Sequence, residues 1–337
     1  MTDSMRAVGF RENLPADDPS SLVDLRLPIP APGPHDLLVR VHAASVNPVD
    51  TKIRRFGRPH GDEPRILGFD AAGVVVAIGS EVSRFAAGDD VFYAGVTNRA
   101  GSNAEFQLVD ERIVGRKPAT LDFAQAASLP LTTITAWESL FDHLALGLES
   151  TGTILVVGAA GGAGSMATQL ARTQTRLEVV ATASRPESAA FALELGAHHV
   201  VDHTARFVDE VAAIAPDGLD YIFSAYSPQH VKAYAELVRP LGHIVAIGEL
   251  DVLQQKSITW HFELMFTRPP VASGRLPAPS AGEGIRADRH RSPAPDSHSG
   301  ARRPPGGDTP QSASDGRVPG HDRQGRNRLQ ILTASVR

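Results

Sequence analysis

Cysteine is absent from all 337 residues of this chain. Its absence excludes disulfides, a thiol nucleophile and any thiolate zinc site. Long apolar runs are absent too: none approaches the roughly 20 residues that a membrane helix needs. The N-terminus lacks the charged-then-apolar pattern of a signal peptide. A cytoplasmic protein with no membrane partner is therefore expected. There is no basic excess either. Lys and Arg number 33 against 38 Asp and Glu, a formal charge of −5, which gives no reason to expect a nucleic-acid partner. No Gly-x-Ser-x-Gly occurs, so a nucleophile-elbow hydrolase has no support. The last absence is local. Residues 269–337 contain no Lys, Phe, Tyr, Trp or Met and are crowded with Arg, Pro, Gly, Ala, Ser and Asp. Too little apolar surface is left there to bury, so a disordered tail is expected.

The most informative stretch that is present is Thr153–Gly164. Ile154-Leu155-Val156-Val157 is a short, apolar, partly β-branched run that suits a strand buried on both faces of a parallel sheet. Gly158, Gly161, Gly162 and Gly164, with Ala160 and Ala163 between, then form a turn whose backbone can approach a ligand closely. A helical pattern begins at Ser165. Strand, glycine turn and helix together make a pyrophosphate site of the helix N-terminus.

Length makes two domains the natural expectation. Before Pro118, short β-rich runs alternate with Gly-Ser and Gly-Asp turns, the texture of a compact β unit. Strands are expected at 5–10, 37–46 and 104–109, with a proline-rich loop at 28–34. The Asn47-Pro48 step reads as a turn, with Asp50 capping the next segment. Helical patterns occupy 124–129 and 134–146. From Thr153 strands at 153–157, 178–182, 199–202, 219–224 and 243–247 alternate with helices at 162–174, 187–195, 205–214 and 228–238. This alternation implies a doubly wound parallel sheet with right-handed crossovers.

These residues resemble the medium-chain dehydrogenase/reductase superfamily, in its quinone oxidoreductase-like branch and the subgroup labelled zinc-type alcohol dehydrogenase-like. The resemblance rests on Ser45-Val46-Asn47-Pro48-Val49-Asp50, Gly68-Phe69-Asp70-Ala71-Ala72-Gly73-Val74, Gly88-Asp89-Asp90-Val91, Leu131–Trp137, Gly158–Gly164 and Trp260–Arg268. It implies an α/β protein with a GroES-like β-domain at 1–125, a Rossmann domain at 126–265, and a cleft between them that holds a nicotinamide cofactor. It also implies a small-molecule substrate and a homodimer.

Dinucleotide folds that take NAD usually carry an acid about 20 positions after the glycines, on the ribose 2′-hydroxyl. Here the second strand runs out through Ala183-Ser184-Arg185 with no acid. Ser184 can donate a hydrogen bond, and Arg185 can pair with a 2′-phosphate through its planar fork. NADP is expected; the alternative is a solvated Arg185 and use of NAD as well.

Relatives with catalytic zinc place a Cys where this chain has Asn47 and a His-Glu pair where it has Phe69-Asp70. One carboxylate is short of the three protein ligands that such a site needs, so no zinc is expected despite the family label. His198, His199 and His203 lie far along the chain from these motifs and read as solvated or capping residues. Without a metal, an enone or quinone is the expected substrate, since its developing charge can be held by hydrogen-bond donors. The resemblance puts Asn47, Thr132 and Thr133 beside the nicotinamide as such donors, with Gly248 near its amide. Tyr93 is a further proton-donor candidate, against a packed aromatic.

After Phe266-Thr267-Arg268-Pro269 the resemblance implies helices and strands that complete the catalytic domain. The composition of 269–337 points instead to a shifted reading frame near codon 270 in a GC-rich gene, either real or a sequencing error; the alternative is a natural, flexible C-terminal tail. That leaves two alternatives to the reductase: a cofactor-binding protein without turnover, or an altered product that does not fold stably.

Overall fold

The structure is a computed structural model, and it describes residues 4–57, 59, 63–203, 206–225, 230–247, 259–262 and 330–333. Gly248 and residues 269–329 and 334–337, on which several of these expectations fall, lie outside the described residues.

The N-terminal half is a β-domain. Strands β1 (Ser4–Phe10), β2 (Val23–Pro28) and β4 (Arg65–Ile66) form one small sheet, ordered β2-β1-β4. A larger sheet is built on β3 (Asp36–Val46), whose partners include β5 (Asp70–Ile78) and β7 (Phe106–Asp110); β6 (Asp90–Ala94) and β8 (Val114–Arg116) come next to β5 in order. Alternate residues of the larger sheet, among them Val39, Val41, Val75, Val91 and Val109, point inward and form its core. The run from Asn47 is a helix, α1 (Pro48–Phe56), rather than a turn. Pro48 suits the first helical position because its missing N–H would have no helical partner. Asn47 is therefore the N-cap, and Asp50 sits in the first turn and accepts the Asn47 N–H at 2.8 Å. Strand β2 falls in a stretch where no strand is expected; its Val-Asp-Leu-Arg-Leu alternation pairs antiparallel with β1.

Two short helices, α2 (Phe123–Ala127) and α3 (Pro130–Trp137), lead out of the β-domain, and a π-helical segment at Glu138–His143 continues α3. The second domain then alternates: β9 (Thr153–Val157), α4 (Gly162–Gln174), β10 (Glu178–Thr182), α5 (Pro186–Glu194), β11 (His199–Val201), α6 (Phe207–Ile214), β12 (Leu219–Ser224), α7 (Val231–Leu237), β13 (Val238–Ala246) and β14 (Thr259–Phe262). All six strands are parallel, in the order β11-β10-β9-β12-β13-β14. This is the doubly wound order, with its reversal between β9 and β12. Strand residues alternate between two cores. Ile154, Val156, Val179, Phe223 and Val245 pack with α4 on one face, while Leu155, Val157, Val180, Ile222 and Ile244 pack with α6 and α7 on the other. Burial on both faces is why these strands read as unbroken apolar runs.

Strand β15 (Gln330–Thr333) lies parallel to β3, with Gln330 opposite Ala43 and Thr333 opposite Val46. The disorder expected over 269–337 therefore does not extend to these four residues. They carry Ile331 and Leu332, an apolar pair in a segment otherwise poor in such residues. Among the described residues no helix is long and apolar enough to cross a membrane.

Candidate active site

The glycine turn closes on itself. The Gly161 N–H donates to the Gly158 carbonyl at 2.9 Å, and Gly158 adopts a φ of +75°. A Cβ on Gly164 would collide with the Gly158 carbonyl oxygen, so only glycine lets α4 start this close to β9. The first N–H groups of α4 have no carbonyl ahead of them in the helix and face the C-terminal end of the sheet at its reversal. These residues fit the pyrophosphate of a dinucleotide. The turn is also tied to the neighbouring strand: Gly158 N–H donates at 3.0 Å to the hydroxyl of Thr182, which is buried at the end of β10. Sequence reasoning missed Thr182, which reads there as one more β-branched strand residue.

Because β10 lies beside β9, its continuation through Ser184 and Arg185 emerges at the same edge as the glycine turn. Both residues are exposed, and Arg185 is the N-cap of α5 in extended conformation. Its guanidinium reaches Ser188 Oγ at 3.4 Å. The nearby histidines diverge. His198 Nδ1 accepts the Val179 N–H at 2.9 Å, His199 Nε2 meets Glu178 Oε1 at 2.9 Å, and the His203 ring lies edge-on to His230. Among the described residues no group of three metal-ligating side chains converges.

Between the domains, α3 is the shared element. The methyl of Thr132 lies against Gly162 of α4. The Thr132 hydroxyl is turned back along its own helix, donating to the carbonyls of Leu129 at 3.0 Å and Ser128 at 3.3 Å. Thr132 therefore offers its methyl to the seam, with the hydroxyl expected as a donor engaged within its own helix. Thr133 is half-buried beside it.

On the β-domain side, Ser45, Asn47, Asp50 and Asp70 form one buried cluster. Asn47 Nδ2 donates to Asp70 Oδ2 at 2.8 Å, Ser45 Oγ donates to the same oxygen at 3.1 Å, and Leu131 N–H of α3 donates to Asp70 Oδ1 at 2.8 Å. The Asp50 carboxylate accepts the Asn47 and Gly68 N–H groups. Gly68 has a φ of +101°, in the left-handed region that favours glycine. Burial pushes the Asp50 carboxyl up and the Asp70 carboxyl up to about 7; three hydrogen bonds pull Asp70 down, and nearby Asp50 raises it further. Tyr93, by contrast, is buried in the β-domain core with its hydroxyl donating to Gln107 Oε1 at 2.9 Å. It is placed as a packed aromatic, because its side chain takes the inward face of β6.

Zinc does not fit this cluster. The Asp70 carboxylate is already met by three donors, the Asn47 amide nitrogen faces it, and Phe69, at the position of the ligand histidine, is a buried core residue.

Comparison with known proteins agrees with the two-domain fold. Residues 33–119 match the alcohol dehydrogenase GroES-like domain, and residues 162–271 match the zinc-binding dehydrogenase family. The chain is 40% identical over 276 residues to a zinc-type alcohol dehydrogenase-like protein of Staphylococcus epidermidis, covering 79% of this chain and 81% of that one. It is 35% identical over 224 residues to the quinone oxidoreductase of Rattus norvegicus, covering 65% and 66%. The crystal structure of a candidate zinc-dependent alcohol dehydrogenase protein from Rhizobium etli CFN 42 superposes with a TM-score of 0.76 at 47% identity, covering 82% of this chain and 84% of that one.

Proposed function

Since the chain belongs to the medium-chain dehydrogenase/reductase superfamily and is an NAD(P)H-dependent oxidoreductase, we propose that it reduces quinones, enones or related activated double bonds and carbonyls with NADPH, without a catalytic zinc. The observation that carries this reading is the seam itself. Through α3, the glycine turn meets a buried cluster with neither cysteine nor histidine, in which an amide, a hydroxyl and a backbone N–H already engage the Asp70 carboxylate. The rat relative, by its name, acts on quinones.

When bound, the nicotinamide supplies a hydride to the conjugated carbon of the substrate. The electron pair displaced from the double bond moves to the carbonyl oxygen, and a proton from water then completes the reduction. The chain's part is to hold and shield. Glycines 158, 161, 162 and 164, with Ala160 and Ala163, seat the pyrophosphate, and Ser184 and Arg185 take the 2′-phosphate. Asn47 holds the developing oxyanion, and Thr133 lines the seam beside it.

The test is steady-state oxidation of NADPH, followed at 340 nm, with a small naphthoquinone and with a simple enone. Consumption with either substrate, faster than with NADH, supports the reading. Cofactor binding without consumption would establish the non-catalytic alternative.

A further inference from the structure

Asp70 has no exposed surface, yet its hydrogen-bond donors among the described residues are all neutral: the Ser45 hydroxyl, the Asn47 amide and the Leu131 N–H. The charged group nearest in kind is Asp50, of the same sign. Burying a carboxyl without a cation costs several kcal/mol, and an apolar residue of similar size would fill this space at lower cost. Packing alone therefore gives no reason for an acid here.

The direction of its two oxygens supplies one. Oδ2 faces the end of β3 and the α1 N-cap, where Ser45 and Asn47 stand. Oδ1 faces the first turn of α3, the helix whose next residue, Thr132, touches Gly162 of the cofactor turn. A carboxylate only accepts hydrogen bonds, whereas an amide is nearly symmetric in shape and could present either end. Asp70 thus holds one of the two N–H groups on Asn47 Nδ2 and fixes the plane of the amide, which leaves the second N–H of the same nitrogen as the donor for an oxyanion.

We infer that Asp70 is the positioning residue of this site: one buried carboxyl that sets the Asn47 amide and fixes α3, with its contact on the cofactor turn, to the β-domain. The inference rests on the reading of Asn47 as the oxyanion donor.

Two experiments on the full-length chain test it. The first needs no activity. In a pH titration by NMR, the Asn47 side-chain amide and the Leu131 backbone N–H should shift together with one midpoint, because a single carboxyl serves both; Asp50, which faces Asn47 from α1, is controlled with Asp50→Asn. Separate midpoints, or no shift in either signal between pH 5 and 9, would overturn the inference.

The second is a polarity swap. Asp70→Asn keeps only one accepting oxygen, so either Asn47 or the Leu131 N–H is left facing an amide nitrogen, and it should lower kcat for a naphthoquinone by about 100-fold with the Kd for NADPH within about 2-fold. Adding Asn47→Asp restores donor to acceptor and should recover the melting temperature but not kcat, since a carboxylate then faces the cleft. Recovery of kcat with the swap, or an unchanged kcat in Asp70→Asn, would reduce Asp70 to a structural residue. If instead Asn47→Ala leaves turnover intact while the two NMR signals still titrate together, the reading of Asn47 fails and the positioning of α3 stands.

Discussion

The methyl group of Thr132 stands 2.8 Å from the place where a Cβ on Gly162 would sit. One methyl of the linking helix thus occupies the room that a side chain on the cofactor turn would need. Gly162→Ala should force Thr132 or the start of α4 to shift, at a cost of about 1–3 kcal/mol for overpacking. NADPH affinity should fall with it. Thr132→Ser removes the methyl but keeps the hydroxyl that bonds Leu129, so the double variant should recover most of the loss in both melting temperature and Kd. No recovery would show that the clash lies elsewhere.

The Arg185 guanidinium emerges at the end of β10 on the same edge as the glycine turn, and the strand itself ends without an acid, through Thr182, Ala183 and Ser184. Arg185→Ala should weaken NADPH binding by about 1.5–3 kcal/mol, the contribution of a charged hydrogen bond, and leave NADH nearly unchanged. Fluorescence titration with each cofactor reads this directly. Equal losses for both would remove Arg185 from the phosphate site.

The two halves of the fold were unequally legible. Strands β9, β10 and β12 and helix α4 fall at the expected residues because full burial writes itself as unbroken apolar runs between glycines. The β-domain is harder to read. Strand β2 is six residues long and ends in Pro28, and α1 hides behind Asn47-Pro48, a pair that serves a turn and a helix start equally well. In the site, the glycine turn is visible because glycine has one reason to recur there. Leu131 is not, since its contribution is a backbone N–H, which any residue but proline carries. Nor is the burial of Asp70, because an acid two positions past a glycine carries no mark of the space around it.

Asp70 also makes stability depend on pH. Burial raises its carboxyl from 3.8 to about 7, so between those values the folded state holds a proton that the unfolded state has lost. The contribution is fully present below pH 3.8, is lost as pH rises toward 7, and changes no further above it. Asp50 is raised by burial too and adds in the same direction. Denaturant midpoints measured from pH 4 to 8 should carry a falling component over this window, and Asp70→Asn should flatten it. An identical slope in the variant would mean that other groups cause it.

Residues 269–337 lack Lys and every aromatic, and they are rich in Arg, Pro, Gly and Ala, whose codons are GC-rich. We propose a shifted reading frame near codon 270. Re-reading the nucleotides there should give another open frame in which lysine and aromatic residues return at ordinary frequency. If neither alternative frame is open, the tail belongs to the protein as written.

The last expectation is that turnover needs Asn47 and not zinc. Thiolate and imidazole are the ligands that make tight zinc sites, and this cluster offers an amide, a hydroxyl and two carboxylates already engaged with donors. To bind a metal, Asp70 would have to give up the Asn47 and Leu131 hydrogen bonds, and with them the attachment of α3. An oxyanion formed at this seam must then be held by hydrogen bonds, and on the reading proposed above Asn47 supplies one of them. Loss of one such donor typically costs about 100- to 1,000-fold in turnover. Asn47→Ala should show that loss on a naphthoquinone or an enone while binding NADPH normally, and prolonged chelation of the unmodified protein should leave its rate unchanged. One zinc per chain by metal analysis, with activity lost on chelation and restored by the metal, would return the site to metal chemistry.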